Sequence, residues 1–419
     1  MNKLKVVLIF ISVFGLFSFI SLNRHSSAKP FTYHTELWAD KAGYNVYLPS
    51  LFIYDFNANS FPKKIDYNTG NGYSLDTTSG KVITKYPYGV SLLQSPFWLI
   101  AHCISYKKDG YSFYYQKSID VSASFYLTLG LFFLFFVFNQ RHSLKQSVLL
   151  CLTVILSSGI FYYGIFETGM SHIFSFCVLS ILLYSLLNKN KFSSTYYPIF
   201  IFSIAVLYII IRPINSLFII PIILYFLYID DKNYLNRDTI RNLRFKDFFL
   251  FLLIFILFAI PQLTYYKYAF GNFLAKSYQN ESFEIPTFGR VKELLFSPNN
   301  GLLIYYPICI ILIIYSIVKK HKFSFLVILL FAIYVLIYSS WWSLSLGCGF
   351  GHRAMNDIFI ALFFPFLTSS KKISKILTFT FIILVLVNIK FIFSYDSCLY
   401  TSLNWDFTEY SSILFGDFK

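Results

Sequence analysis

Long, unbroken runs of apolar residues recur along the whole chain, and they constrain its fold more than any other feature. Only 13% of the residues are charged while 56% are hydrophobic, which is too little charge for a soluble surface. A backbone in lipid must form helices or a closed barrel, and a transmembrane helix needs about 20 apolar residues. A barrel would show alternating segments of about 10 residues instead. We therefore expect an all-α transmembrane protein, built as a polytopic helical bundle.

The apolar runs predict about eleven spans with a long first outer loop at 23–118. The run 89–105 contains Pro96 and His102, so we interpret it as a re-entrant or interfacial helix. The predicted domain organisation is a transmembrane domain over 1–394 that includes the first outer loop, and a short outer tail over 395–419. The spans are predicted at 6–22, 119–138, 147–164, 170–187, 196–211, 214–229, 248–264, 301–318, 323–339, 354–369 and 376–394.

Short clusters of Lys and Arg between the spans predict the orientation. With the N-terminus in the cytoplasm, the inside segments hold about twice as many basic residues as the short outer loops, as the positive-inside rule demands. This pattern accounts for the net charge of +15 without a nucleic-acid partner. An alternative interpretation makes residues 1–22 a cleaved signal peptide, which leaves the remaining topology unchanged. The basic inside segments are 141–145, 189–191, 230–247, 319–322 and 371–375.

The expected location is the cytoplasmic membrane of a bacterium. Low Ala together with high Lys, Asn, Ile and Phe is compatible with an AT-rich bacterial genome. The inside loops are short, and no GxxxxGK[ST] loop for nucleotide phosphates is present in the sequence. Any chemistry is therefore expected at the outer face of the membrane.

Two acids beside the predicted spans are candidate catalytic residues, because ionisable groups next to lipid are costly. Asp40 precedes an aromatic, amphipathic stretch that would hold a general base at the interface. Glu167 lies between two spans, where a buried carboxylate needs a metal ion or a basic partner. The alternative is that both are ordinary loop acids. His172, one turn into the next span, is a further candidate, although such a histidine is more often a satisfied polar residue of a bundle.

Two cations at the same face are candidates for binding a phosphate. Lys85 stands beside the proline turn in TKYPYG and could bind a lipid phosphate, although snorkelling explains it equally well. Arg212 lies on the face that the positive-inside rule disfavours for a cation. Its position indicates an anionic partner, either a phosphate or an acid such as Glu167.

The loop WWSLSLGCGFGHR also lies on the predicted outer side and ends in the candidates His352 and Arg353. Its alternating glycines would let the backbone approach a ligand closely. The alternative is a flexible loop whose tandem tryptophans anchor it at the membrane interface. The glycines are Gly347, Gly349 and Gly351.

Taken in order, these segments resemble the GT-C glycosyltransferases, polytopic membrane enzymes that use polyprenyl-phosphate sugars. The resemblance is strongest to the bacterial branch related to protein mannosyltransferases and lipid A aminoarabinose transferases. The sequence departs from many members at Tyr86-Pro87-Tyr88, where they have two prolines, and at WWSLSLGCGFGHR, where they have a WWGGWSFGPR-like stretch. The similar segments are ADKAGYNVYLPSLF, KYPYG, FYYGIFETGMSHIFSF, RPIN, SPNNGLLIYYP and YSSWWSLSLGCGFGHR.

The resemblance implies eleven or more helices, a catalytic first outer loop, and transfer of a sugar from a polyprenyl-phosphate donor to an envelope glycan, lipid or protein. Asp40 matches the catalytic acid of the first loop, and Glu167 takes the place of the second outer-loop acid. Lys85 matches the basic residue near the donor phosphate, while Arg212 and Arg353 match loosely. A divalent cation is the one cofactor considered, with Asp40 and Glu167 as candidate ligands.

Other classes of protein stay open at this point. A transporter or flippase of lipid-linked saccharides would place ionisable groups near the bilayer midplane and contain internal repeats, and the sequence shows neither. A non-catalytic membrane scaffold for envelope assembly would not depend on Asp40. A polymerase or ligase of surface polysaccharide is a neighbouring alternative that the sequence does not separate.

Overall fold

The architecture is almost entirely helical. A computed structural model describes residues 3–26, 28–193, 196–228, 245–278, 281–347, 349–395 and 406–416. The structure is 69% helical. Its described residues contain one small antiparallel sheet, in which Ser74–Asp76 pairs with Lys81–Ile83. The prediction of an all-α fold is confirmed at this level.

Four helices of the described part are long and apolar enough to cross a membrane: Leu4–Arg24, Phe113–Asn139, Phe249–Phe270 and Lys375–Ser394. Shorter apolar helices follow most of the other predicted spans. Together these helices are compatible with a multi-pass membrane protein, whereas the number of eleven spans stays a prediction. The shorter helices include Leu144–Leu156, Ser171–Leu187, Tyr197–Ile211, Ser216–Tyr228, Ile308–Val318 and Ser324–Ser340.

The predicted span 147–164 is not one helix but two, Leu144–Leu156 and Ile160–Ile165. The break leaves carbonyl groups without their helical donors. The side-chain amide of Asn388 donates to the carbonyls of Leu156 and Ser158, at 2.8 and 3.0 Å. An interruption among apolar helices is tolerated when a neighbouring side chain restores the lost hydrogen bonds in this way.

The predicted span 301–318 is divided at Pro307 into the helices Leu302–Tyr305 and Ile308–Val318. Proline has no N–H for the carbonyl four residues earlier, so the α-helix does not run through it. The predicted span 354–369 also differs from a regular α-helix. It consists of two 3₁₀ turns and a short α-helix, Arg353–Asp357, Phe359–Phe363 and Phe364–Thr368.

The first outer loop contains the helix predicted at 89–105, observed as Gly89–Ile104. One side of this helix is buried at Val90, Gln94, Trp98 and Ala101, a spacing of one helical face. The opposite side exposes apolar residues, as expected for a helix that borders lipid. The other short helices of this loop are Asp40–Asn45, Tyr47–Phe52, Ala58–Ser60 and Ile65–Asn68.

The remaining helices complete the later part of the chain. The helix Phe245–Phe270 is followed by Phe288–Phe296, and the described part of the predicted tail forms Phe407–Phe415. The tail helix packs on the bundle, and the hydroxyl of Tyr410 donates to the carbonyl of Ile304 at 3.2 Å. Short 3₁₀ turns lie at Lys189–Lys191 and Pro213–Asn215.

The two ends of the bundle differ in chemistry. Basic residues from three predicted inside segments line one pocket of about 240 Å³: Arg141, Lys189, Lys191 and Lys322. The opposite ends of the helices Ser171–Leu187 and Ser324–Ser340 border a second pocket with acids and tryptophans. Segments predicted on opposite sides of the membrane thus lie at opposite ends of the bundle, and the orientation itself stays a prediction. Most of the predicted inside segment 230–247 lies outside the described residues.

We expect single cysteines placed at the two ends of the bundle to label from opposite sides of the membrane. In a cysteine-free background, Thr77→Cys and Ser411→Cys should react with an impermeant maleimide in intact cells. Ser143→Cys should react only after permeabilisation, because it belongs to a predicted inside segment. Labelling of Ser143→Cys and Ser411→Cys from the same side would remove a span and contradict the topology.

Candidate active site

Asp40 is positioned by a close approach of two backbone segments. Ala39 has a φ of 48° and donates its N–H to the carbonyl of Thr69 at 2.8 Å. A Cβ on Gly72 would lie 1.8 Å from the Ala39 carbonyl oxygen, and one on Gly43 would lie 2.3 Å from that of Gly72. Only glycine permits such contacts. The segment around Gly72 therefore fixes the first turn of the helix that Asp40 begins.

The carboxylate of Asp40 has two strong donors. Arg353 Nη2 donates to Oδ2 at 2.8 Å, and the hydroxyl of Tyr86 donates to Oδ1 at 2.5 Å. Burial alone would raise the pKa of Asp40, but the charge of Arg353 and the Tyr86 hydrogen bond outweigh it and hold the pKa below its usual value. Asp40 is therefore ionised at neutral pH.

Glu167 has the basic partner that its position required. Lys41 Nζ donates to Glu167 Oε2 at 2.9 Å, and the two side chains are only 4% and 13% exposed. Lys41 directly follows Asp40 in the chain. The pair therefore joins the loop between the helices Ile160–Ile165 and Ser171–Leu187 to the helix that carries Asp40.

Lys85 is paired with an acid that the sequence did not single out. Its ammonium forms an ion pair with Glu281, which lies in the segment after the helix Phe245–Phe270. The ammonium also faces the rings of Tyr86 and Tyr278, at 5.4 and 5.2 Å from their centroids. Two aromatic faces and one carboxylate therefore hold this cation at the end of the bundle.

These three ion pairs meet in one cavity of about 370 Å³, called the Asp40 cavity below. Of the predicted site residues, Asp40, Lys85, Glu167 and Arg353 line it. Gly347 also lines it, in the left-handed conformation with a φ of 76°. The other lining residues used below are Lys41, Glu281, Trp341 and Trp342.

The remaining predicted residues are not among those that line the Asp40 cavity. Arg212 Nη1 donates to Asp357 Oδ2 at 2.5 Å, so its acidic partner is Asp357 and not Glu167. His172 Nδ1 lies 3.1 Å from the other oxygen of the same carboxylate. His352 is fully buried and hydrogen-bonds to the hydroxyl of Tyr334. Burial lowers the pKa of His352 to about 3, so this imidazole is neutral.

Sequence reasoning missed Lys41, Tyr86, Glu281 and Asp357 as members of this group. The need for a basic partner of Glu167 was recognised, and Lys41 supplies it. Asp357 lies inside the predicted span 354–369, and an acid in that position needs a cation, which is the signal that would have found it. Nothing local marks Glu281, because its role comes from a contact across 196 residues.

A divalent cation does not fit Asp40 and Glu167 in this arrangement, because each carboxylate already has a cationic side chain as its partner. Within the described residues, the potential ligand group is His25, Glu36 and Asp120, whose ligand atoms lie within 4.8 Å of one another. Lys117 is already paired with Glu36. We assign no metal to either place.

The hydrogen bonds of the His25 ring argue against a metal ion in the group of His25, Glu36 and Asp120. Its Nδ1 lies 3.0 Å from the Ser21 carbonyl oxygen and 3.2 Å from Asp120 Oδ1. Its Nε2 lies 2.9 Å from the carbonyl oxygen of Phe166. Both nitrogens face acceptors, which indicates an imidazolium with two donors. Two organic cations, this ring and Lys117, therefore neutralise the two buried carboxylates.

A second cavity lies beside the first loop and is strongly apolar. It has a volume of about 580 Å³ and lies between the helices Tyr47–Phe52, Gly89–Ile104 and Phe245–Phe270. The hydroxyl of Tyr47, which lines it, donates to the carbonyl of Tyr86 at 2.7 Å. Because the Tyr86 hydroxyl contacts Asp40, one tyrosine connects the walls of the two cavities. The other lining residues include Leu48, Leu51, Phe52, Leu92, Tyr265 and Tyr268.

A comparison of the chain with protein-family models, curated proteins and solved structures finds no match. The assignment to a class therefore depends on the motifs and on the geometry of the two cavities.

Gly72→Ala should displace Asp40 and destabilise the loop. The added methyl group would overlap the Ala39 carbonyl, and overpacking of this kind costs about 1–3 kcal/mol. We expect a lower unfolding temperature in detergent. Gly15→Ala is the control, because nothing lies within 4 Å of its Cβ position. Equal unfolding temperatures for Gly72→Ala and wild type would show that the contact does not constrain the loop.

Stability should fall as the pH rises from 4.5 through about 7 because of Glu36, and at higher pH also because of His25. Burial and the charge of Asp120 raise the pKa of Glu36 to about 7, from 4.5. Burial would lower the pKa of His25, but the hydrogen bond and charge of Asp120 raise it. Both groups bind protons more tightly in the folded protein, so their contribution is present at low pH and is lost as pH rises through the folded pKa.

Thermal unfolding of wild type and Glu36→Gln between pH 5 and pH 8 tests this expectation. The wild type should lose on the order of 1–3 kcal/mol, while Glu36→Gln should depend less on pH because glutamine does not titrate. Glu284→Gln, which removes an exposed partner of Arg290, is the control and should keep the wild-type slope. An unchanged slope in Glu36→Gln would contradict the assignment.

Proposed function

We propose that the protein is a membrane glycosyltransferase that transfers a sugar from a polyprenyl-phosphate donor to an envelope acceptor at the outer face of the membrane. The Asp40 cavity is the observation that carries the proposal. It combines an ionised carboxylate with two cations, Lys85 and Arg353, at one end of apolar helices. The GT-C-like motifs around these same residues support it.

The chemistry needs a base, an electrophile and a leaving group. Asp40 accepts the proton of an acceptor hydroxyl, whose oxygen forms a bond to the anomeric carbon of the donor sugar. The bond between that carbon and the phosphate oxygen breaks, and the polyprenyl phosphate leaves with the electron pair. Lys85 and Arg353 stabilise the charge on this phosphate.

Arg353 also controls how basic Asp40 is. While it donates to Oδ2, the pKa of Asp40 is low, and a carboxylate of low pKa is a weak base. A donor phosphate that attracts the Arg353 guanidinium would weaken this ion pair. The pKa of Asp40 would then rise towards the operating pH, so donor binding itself would activate the base.

The apolar cavity supports a lipid-linked donor. A prenyl tail has no polar groups, and the groove of about 580 Å³ is lined almost entirely by aromatic and aliphatic side chains. Tyr86 connects this groove to Asp40 through its own hydroxyl and through the hydrogen bond that Tyr47 donates to its carbonyl. A tail in the groove and a phosphate at Lys85 would lie on two sides of the same tyrosine.

The size of the Asp40 cavity favours a small sugar. Its volume of about 370 Å³ lies near the lower limit of small-molecule sites, which run from about 300 to 1,000 Å³. Trp341 and Trp342 line the cavity and offer broad apolar surfaces for a sugar ring. We therefore favour transfer of a single sugar unit over joining of long polysaccharides.

Asp40→Asn is the test of the proposal. Asparagine keeps the shape. Its amide oxygen can still accept from Arg353 and its NH2 can donate to the Tyr86 hydroxyl, but it does not accept the acceptor's proton. Sugar transfer by the purified protein should fall by about two to four orders of magnitude, the usual contribution of a general base. Protein yield should change little.

Asp55→Asn is the matched control, because Asp55 lies in the same loop with a φ of 47°, a conformation that asparagine tolerates. Asp66→Asn is a poorer control, since its carboxylate accepts a hydrogen bond from the backbone of Leu75 at 3.1 Å. A normal transfer rate for Asp40→Asn would contradict the enzyme and favour a transporter or a scaffold.

A further inference from the structure

Among the residues that the structure describes, every cation that faces or underlies the Asp40 cavity is matched by one carboxylate. An anionic donor therefore meets no unbalanced positive charge among these residues, and must compete with an acid of the protein for a cation. The four pairs are Arg353–Asp40, Lys41–Glu167, Lys85–Glu281 and Arg212–Asp357.

Three of these pairs are held by their surroundings. Asp357 is fully buried and contacts His172 as well as Arg212. Lys41 is 4% exposed, and Asp40 is fixed by the glycine contacts and by Tyr86. Replacing Glu167 or Asp357 by a ligand would leave a buried charge without its partner, which is costly.

The Lys85–Glu281 pair differs from the other three because its cation has the largest exposed fraction among the four cations. Lys85 is 35% exposed and Glu281 is 17% exposed. Glu281 lies outside any helix, in a segment that follows the cavity rim beside Trp341. This segment is held by backbone contacts that do not use the Glu281 carboxylate: Trp342 N to Ser282 O at 3.1 Å, and Glu284 N to Ser340 O at 2.6 Å.

The rings around Lys85 show what remains when the carboxylate leaves. Tyr86 and Tyr278 lie on the ammonium at 5.4 and 5.2 Å. The Glu281 N–H donates to the Tyr278 carbonyl at 3.3 Å, a backbone contact that does not use the carboxylate. Tyr278 also packs edge-on against Trp341, with centroids 5.9 Å apart. The ammonium therefore stays oriented towards the cavity and is ready for a second anion.

We propose that the Glu281 carboxylate occupies the place of the donor phosphate and is displaced from Lys85 when the donor binds. The proposal rests on the proposed function. It also gives Glu281 an effect on product release. The product is a phosphate monoester with a charge of about −1.5 to −2 at pH 7, and it binds cations strongly. The returning carboxylate competes with that product and speeds its release.

Binding of farnesyl phosphate, a short polyprenyl phosphate, to the full-length protein in detergent tests the proposal. Glu281→Gln should bind it about two- to tenfold more tightly than wild type, because a competing charge is removed while the side-chain shape is kept. Glu284→Gln, a neighbouring loss of charge whose partner is Arg290, should bind like wild type. Farnesol, which lacks the phosphate, should not distinguish Glu281→Gln from wild type.

A double-mutant cycle isolates the pair. Lys85→Met should bind farnesyl phosphate more weakly, and adding Glu281→Gln should then restore little, because the cation for which they compete is absent. An equal gain in both backgrounds would show general repulsion and overturn the proposal. Inorganic phosphate is the second probe, and a gain for inorganic phosphate alone would overturn the assignment to a lipid phosphate.

The outcomes separate the inference from the function on which it rests. If wild type binds farnesyl phosphate but Glu281→Gln binds it equally or more weakly, the competing role of Glu281 is wrong and the proposed function stands. If neither wild type nor Glu281→Gln binds farnesyl phosphate, the polyprenyl-phosphate donor is wrong, and the inference fails with it.

Discussion

The ion pair between Asp40 and Arg353 joins parts of the chain that are 313 residues apart. It connects the first outer loop to the loop that follows the helix Ser324–Ser340, and the Asp40 cavity lies between them. This ion pair is a direct charged contact between the two loops inside the cavity. Lys41, which directly follows Asp40 in the chain, forms the neighbouring ion pair with Glu167.

The charges near the apolar helices are arranged to be neutral pair by pair. Taking an ion out of water is expensive, and a buried pair recovers that cost only with good geometry and further hydrogen bonds. Asp357 meets this condition with two partners, Arg212 and His172. In the His25 cluster, the His25 imidazolium pairs with Asp120 and the Lys117 ammonium pairs with Glu36. Such pairs add little stability over a well-packed apolar core. Their retention at one end of the bundle is better explained by a task that needs charge there.

The sequence predicted much of the fold, because hydropathy depends only on local composition. Helices were found near almost every predicted span, and their ends agree within a few residues at Ser171–Leu187 and Ser324–Ser340. The interruptions were harder to predict. The break after Leu156 depends on Asn388, which is 232 residues away, so no window around the break contains its explanation.

The candidate site was predicted only in part, because sequence arguments see local features and not contacts between distant positions. Asp40, Lys85, Glu167 and Arg353 were found one at a time from local cost arguments and motifs, and the structure brings them together. Their partners were not found, because an ion pair is a property of two positions. The sequence indicated an anionic partner for Arg212, either a phosphate or an acid such as Glu167. Finding that the partner is Asp357 required the three-dimensional arrangement.

The dependence of the break after Leu156 on Asn388 also has a consequence for assembly. The helix Lys375–Ser394 carries this asparagine, which leaves the ribosome 232 residues after Leu156. Until it arrives, the carbonyls of Leu156 and Ser158 have no protein donor from it, so the interrupted region cannot reach its final desolvated state. The early helices therefore wait for the helix that carries Asn388, and a chain without this helix retains a polar defect in its interior.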